Sequence, residues 1–176
     1  MKDNLVITTG DAQVLQHNLH VLAACVQELK KVMGITAPPG ITATNIDAAL
    51  QKFTGTVNNT GAIRLTYQPL QLNNGDISSN AATFIYTAIQ ELVINILKHS
   101  NAKNAGITVS KKTAAVTITV KDDGQGFDTA ILGATKGNGY KEMGKDIAGM
   151  GGTLRIDAKP AKGTLVTITI PLTGLM

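Results

Sequence analysis

The sequence predicts an α+β fold: a two-layer sandwich in which a mixed, mostly antiparallel sheet carries helices on one face, with one further helix at the N-terminus. Three observations lead there. Residues 78–99 hold a broad apolar face at helical spacing, through Phe84, Ile85, Ala88, Ile89, Leu92, Val93, Ile96 and Leu97. Residues 114–121 and 163–170 alternate apolar side chains with Thr, the period of strands buried on one side only. The strand-like segments come in consecutive short pairs, which favours antiparallel pairing, and helices segregated onto one face complete two layers.

Each element has a local cause. Asp11 is an N-cap for a helix over 11–33, whose residues Leu15, Leu19, Leu22, Val26, Leu29 and Met33 form a heptad-like seam ended by Gly34. That seam suits an amphipathic helix lying on its own domain or a piece of a bundle helix; His17 and His20 on it read as solvated. Ala37-Pro38-Pro39-Gly40 ends any helix before it, and the domain boundary is placed there, dividing 1–36 from 37–176. A second helix is predicted over 43–54, with Ile46, Ala49, Leu50 and Phe53 on one face and Thr44 or Asn45 as cap. Residues 62–68 alternate like a strand, and Asn73-Asn74-Gly75-Asp76 is a loop cluster. Ser78 or Ser79 caps the long helix. Strands near 105–110 and 114–121, a Gly-rich stretch over 124–139, a helix near 140–150 and strands at 152–159 and 163–170 complete the order.

Composition narrows the function classes. The 176 residues suffice for one ordinary domain, and 43% are apolar, enough for a core. The net charge of +4 suits an anionic ligand but is too small and dispersed to predict nucleic-acid binding, and with aromatics at 3% and no Trp, stacking platforms for bases are scarce. The single cysteine, Cys25, excludes an intramolecular disulfide and a cysteine-only metal site. No apolar run reaches the length of a membrane span, and Met1-Lys2-Asp3-Asn4 does not open a secretory signal, so the chain reads as soluble and cytoplasmic.

Four segments carry candidate chemistry. On the long helix, Glu91 and Asn95 are one turn apart, with Lys98 and His99 following, so one helix presents a carboxylate, a neutral oxygen and cations together. Such a set suits a hydrated Mg²⁺ and a phosphate chain, because Mg²⁺ takes few protein oxygens and keeps several waters; a solvent-facing polar stripe has the same pattern. Lys121-Asp122-Asp123-Gly124-Gln125-Gly126-Phe127 follows a strand directly. Glycines two apart let the backbone approach a ligand, and a strand-end carboxylate can accept a hydrogen bond from an amino group such as that of adenine; a plain Asp-Gly turn is the alternative. Gly137 and Gly139 open into a helix, where backbone N–H groups gather an anion and flexible glycines let the loop close over phosphates, though tight turns use the same residues. Gly163-Thr164 leads into the last strand, where Thr164 can place a hydroxyl near a base pocket.

Individually these segments are weak, but their order is specific: Glu91-xxx-Asn95-xx-Lys98-His99, then Asp122-x-Gly124-x-Gly126, then Gly137-x-Gly139, then Gly163-Thr164. The series resembles the ATP-binding catalytic domain of bacterial sensor histidine kinases, in the group that includes gyrase, Hsp90 and MutL. The resemblance covers about residues 40–172 and is closest over Gln90–Ala102, Val120–Asp128 and Gly151–Pro171. It implies that ATP and Mg²⁺ are the cofactors, that Asn95 ligates Mg²⁺ and that Glu91 acts as base or positions the nucleophile. It places Lys98 and His99 near the phosphates, Asp122 on the adenine amino group in a pocket shaped by Gly124 and Gly126, Gly137 and Gly139 beside the phosphates, and Thr164 at the adenine end. The implied reaction is γ-phosphoryl transfer to a histidine nitrogen, with a response regulator, an acceptor-bearing bundle and a homodimer as partners.

The acceptor histidine is not evident: His20 lies close to Pro38 and is followed by Val21 rather than an acidic residue. Residues 11–33 resemble the second bundle helix entered partway, so the chain reads as a catalytic fragment. Tyr140 stands where the family usually has Leu, and Glu142 and Asp146 where Asn and Arg are common. Two further functions fit the motifs: a Ser/Thr kinase of the anti-sigma-factor type, and a non-catalytic nucleotide-binding or dimerisation module.

Overall fold

The computed structural model describes residues 40–69, 76–112, 114–129 and 139–176. The predicted helix over 11–33, Ala37-Pro38-Pro39, Asn73-Asn74-Gly75 and Gly137 lie outside the described residues.

The elements run α1 (Ile46–Asn59), β1 (Arg64–Gln68), α2 (Ser79–His99), β2 (Asn104–Lys112), β3 (Ala115–Asp122), α3 (Gly139–Gly149), β4 (Thr153–Ala158) and β5 (Thr164–Pro171), then a short 3-10 turn, Leu172–Gly174. The strands form one five-stranded sheet in the order β1-β2-β3-β5-β4. The β1–β2 pair is parallel, and α2 supplies the crossover that a parallel pair needs; the other pairs are antiparallel. The α+β class with a mixed, mostly antiparallel sheet is therefore present as the patterns predict.

Alternation decides which face is buried. Ile107, Val120 and Val166 lie abreast on β2, β3 and β5, and Ile118 faces Ile168 across the β3–β5 pair, all fully buried. The intervening Thr117, Thr119, Thr167 and Thr169 are only half-buried, on the opposite face. The buried face packs against α2, whose Ile85, Ile89, Leu92 and Val93 are solvent-excluded. Each such side chain contributes about 1.5–3 kcal/mol on burial, so the α2–sheet layer contributes substantially to stability. Ile94 is buried as well, and so is Tyr86, which meets Phe53 of α1 edge-on at 6.3 Å between ring centroids. Helix α2 is thus covered on more than the one face that periodicity predicts.

Ser78 caps α2 by accepting from the Ala81 N–H at 3.2 Å, and the Ser78 N–H donates to the Leu175 carbonyl at 2.7 Å. Leu175 is completely buried, so the C-terminal tail holds the start of this helix. Helix α1 runs five residues beyond its predicted end at 54. Burial of Val57 rewards the extra turn, and Thr54 returns its hydroxyl to the Leu50 carbonyl rather than ending the helix. Asn45 precedes α1 without capping it: its Oδ1 accepts from the Thr42 N–H and its Nδ2 donates to the Gly40 carbonyl, fixing the incoming turn.

Candidate nucleotide site

The C-terminal half of α2 passes beneath the end of β3 and the start of β5, and the start of α3 closes the same space. The result is a cavity of about 470 Å³ lined by residues from all four elements, among them Glu91, Asn95 and His99, Asp122, Gly126, Gly139, Tyr140 and Thr164. That volume is in the range of about 300–1,000 Å³ usual for small-molecule sites.

Register places the first two polar groups. Asp122 and Thr164 are direct partners across the β3–β5 pair, and both are buried. Alternation sends them to the helix-facing side with Val120 and Val166, which make the cavity wall apolar beside them. Asp122 Oδ1 accepts from the Gly124 N–H at 2.8 Å, and Thr164 donates to the same carboxylate. Burial raises the Asp122 pKa above the ordinary value, and the Gly124 and Thr164 hydrogen bonds oppose that shift without cancelling it.

Asp123, next in sequence, has a different task. Its Oδ1 accepts from the Lys103 and Asn104 N–H groups, each at 2.9 Å, and its Oδ2 from Asn104 Nδ2 at 2.7 Å. The Asn104 side-chain bond foremost holds its pKa below the ordinary value. Asp123 ties the β3 exit to the α2–β2 loop and does not line the cavity.

The two glycines of the loop act on the backbone. A Cβ on Gly124 would lie 2.2 Å from the Ser100 carbonyl oxygen, so only Gly lets the loop reach the end of α2. Gly126 has φ +58°, and a Cβ there would lie 2.1 Å from the Lys159 carbonyl oxygen. Gly126 lines the cavity and Gly124 does not; Gly124 shapes it from behind. Between them, Gln125 binds α2 twice, donating its N–H to the Ser100 carbonyl at 2.7 Å and its Nε2 to the His99 carbonyl at 2.6 Å.

Helix α2 supplies Glu91, Asn95 and His99 to the lining, together with Leu92 and Ile96. Lys98 is exposed and lies outside the lining. Successive helical residues turn by about 100°. The lining arc centres on the Leu92–Asn95–His99 side, and Lys98 stands roughly 100° off that centre although it is seven residues beyond Glu91.

The start of α3 comes close to α2: a Cβ on Gly139 would lie 3.4 Å from Glu91 Oε1. Buried Met143 and Ile147 seat this helix on the domain. Tyr140 then lines the cavity together with Asn95, Asp122 and Glu91. Burial foremost, then the Asp122 charge, pushes the phenol pKa up. Glu142 and Asp146 are exposed and outside the lining, whereas Lys141 is part of it. The placement of Tyr140 and Lys141 in the site is not written in helical or strand periodicity. The one sequence signal for Tyr140 is that an aromatic replaces the Leu common in similar domains.

The geometry therefore joins a buried strand-end carboxylate, a helix-borne carboxylate and amide, and a glycine-shaped loop around one space. Residues 80–174 match the family model described as histidine kinase-, DNA gyrase B-, and HSP90-like ATPase. The chain belongs to this family. It is 27% identical over 164 residues, 91% of this chain, to the sensor histidine kinase YxjM of Bacillus subtilis, and 31% identical over 90 residues, 50% of this chain, to the histidine-protein kinase/phosphatase DegS of the same organism. It spans only 38% and 23% of those two proteins. Among solved structures, the histidine kinase domain of the Erythrobacter litoralis EL346 blue-light activated kinase superposes with a TM-score of 0.62 at 22% identity, covering 80% of this chain and 68% of that one. The Acinetobacter baumannii histidine kinase AdeS gives 0.58 at 15%, covering 94% and 85%. At these identities the superpositions show the fold. Residues 80–174 thus lie in an ATP-binding domain of the family that histidine kinases share with DNA gyrase B and HSP90.

Proposed function

We propose that this domain binds ATP with Mg²⁺ and transfers the γ-phosphoryl group to a histidine nitrogen carried by a bundle helix outside it. The observation that supports this reading is the cavity that gathers Asp122, Thr164, Asn95 and Glu91 from separate elements. Asp122, held by Gly124 and Thr164, receives the adenine amino group at the strand end, with Val120 and Val166 against the base. Asn95 and Glu91, further along α2, face the phosphates, with His99 and Lys141 offsetting phosphate charge. The helix start at Gly139 offers N–H groups to the same end of the ligand.

The donor set fits Mg²⁺. No cluster of three or more His, Cys, Asp or Glu able to hold a metal occurs among the described residues. A site that offers one amide oxygen, from Asn95, suits an ion that keeps several waters and takes its remaining oxygens from phosphates. Bound there, the ion would neutralise charge on the phosphate oxygens. In this reading Glu91 positions or deprotonates the incoming imidazole, and the remaining residues hold the nucleotide in line, the larger part of catalysis in phosphoryl transfer.

A response regulator and a second copy of the bundle are the partners this reading implies, with the domain working in the cytoplasm. Among the described residues no helix is long and apolar enough to cross a membrane. Incubating the protein with labelled ATP and a purified acceptor-bearing bundle tests the proposal. Acid-labile label on His supports it. Acid-stable label on Ser would assign the domain to the anti-sigma-factor type of kinase, and nucleotide binding without transfer would make it a binding module.

A further inference from the structure

We propose that the outer edge of β4 pairs antiparallel with the same edge of a second copy of this chain, about a two-fold axis at Ile156.

The two edges of the sheet are built differently. At the β1 edge, Asn58 of α1 stands in for a neighbouring strand: its Nδ2 donates to the Leu65 carbonyl at 2.9 Å and its Oδ1 accepts from the Leu65 N–H at 2.7 Å. Both backbone groups of Leu65 are thereby occupied, which keeps a further strand off. At the other edge, β4 pairs with β5 alone among the described residues. An edge strand of that kind is a template for pairing with another chain. The side chains of β4 select the partner. Arg155 and Asp157 lie on the helix-free face, opposite Thr167 and Leu165 of β5, with their side chains 76% and 47% exposed. A run of one sign would repel a second copy. Opposite charges on either side of one residue instead make the strand complementary to itself when it is reversed about that residue. Antiparallel pairing centred on Ile156 sets Arg155 across from the partner's Asp157, and Asp157 across from the partner's Arg155, with opposed Cβ atoms about 4.5–5.5 Å apart. Arg155 holds its own Asp157 through Nε at 2.8 Å and Nη2 at 3.0 Å, which leaves further guanidinium N–H groups for the second carboxylate. On the helix side, half-buried Ile156 meets its own copy. A two-fold contact uses one patch on both copies and closes: the outer edges of the joined sheet are then the two β1 strands, each held by its Asn58. Strand β4 supplies no residue to the cavity lining, so the contact is separate from the nucleotide site.

The test is register-specific crosslinking of the full chain in a Cys25→Ser background, which removes the native thiol. Ile156→Cys is expected to give a covalent dimer on mild oxidation, because residue 156 opposes itself and paired Cα atoms in antiparallel strands lie within disulfide reach. Thr153→Cys alone should not, since the two copies of residue 153 would stand roughly 20 Å apart along the strand. Thr153→Cys combined with Lys159→Cys should restore the crosslink through exposed positions, whatever Ile156→Cys does to stability, and thermal melts check each variant. In the Ile156→Cys protein, Arg155→Asp or Asp157→Arg should slow crosslinking about tenfold or more by setting like charges opposite one another. An equimolar mixture of those two variants should recover most of the rate, because every opposed pair is again Asp with Arg. Absence of a crosslink both with Ile156→Cys and with the Thr153→Cys/Lys159→Cys pair overturns the proposal. So does crosslinking of Thr153→Cys alone at the same rate, or a mixture that reacts no faster than its components.

Discussion

Replacing Asp122 by Asn is the sharpest probe of the proposed adenine contact. The carboxylate has acceptor sites on both oxygens. Gly124 N–H takes Oδ1 at 2.8 Å and Thr164 donates to the same group, leaving acceptor capacity toward the cavity. An Asn has a single oxygen. If that oxygen stays with Gly124 and Thr164, the N–H₂ faces the cavity and meets the adenine amino group donor to donor. Loss of a hydrogen bond to a charged group costs about 1.5–3 kcal/mol, which is roughly ten- to hundredfold in affinity. The apo protein should respond in the other direction. The folded-state pKa of Asp122 is raised by burial, so the folded state holds this proton more tightly than the unfolded chain. That contribution is fully present below the unfolded value of about 3.9 and is lost as pH rises through the folded one. Asn carries no such penalty, so the melting temperature of Asp122→Asn relative to wild type should be more favourable at pH 7 than at pH 4. Calorimetric titration with ATP and thermal melts at the two pH values measure both effects. Unchanged ATP affinity in a folded variant would refute the assigned contact.

Asn95→Ala should reduce ATP binding in Mg²⁺ far more than in EDTA; equal losses in the two titrations would remove Asn95 from the metal. Asp123→Ala should destabilise the fold at neutral pH, with the difference from wild type shrinking on acidification. The Asp123 pKa is lowered, so its contribution is present above the unfolded value and lost as pH falls through the folded one; denaturant melts across pH 2–7, roughly the span of carboxylate titration, follow it. Gly126→Ala should cost about 1 kcal/mol or more, since a Cβ at φ +58° would also strike the Lys159 carbonyl, and urea unfolding measures it.

Much of the fold is legible because period-two and period-3.6 patterns report burial directly. Val116, Ile118 and Val120 alternate with Thr and are the buried members of β3, and the apolar face of α2 is the one against the sheet. The end of α1 was not legible. Gly55 and the β-branched residues around it argue locally for a stop, and only the distant surface that buries Val57 outweighs them. In the site, Asp122 and Asp123 are equivalent by composition. The strand phase separates them, since Asp122 shares the buried side with Val120. The task of Asp123 depends on where Asn104 arrives, which no local pattern encodes. Lys98 shows the opposite limit: spacing places it near the stripe of Glu91 and Asn95, but the cavity opens on the other flank of that stripe. Tyr140 depends on how α3 docks, a tertiary event.

The seating of Leu175 has a practical consequence for anyone engineering the domain. The penultimate residue acts as a stopper under the first turn of the central helix, while Met176 beside it is 76% exposed. A fusion tag or reporter can therefore be appended after Met176 with little disturbance. Trimming the chain by two residues would expose an apolar socket and strand the Ser78 amide, loosening α2 at the end away from the cavity.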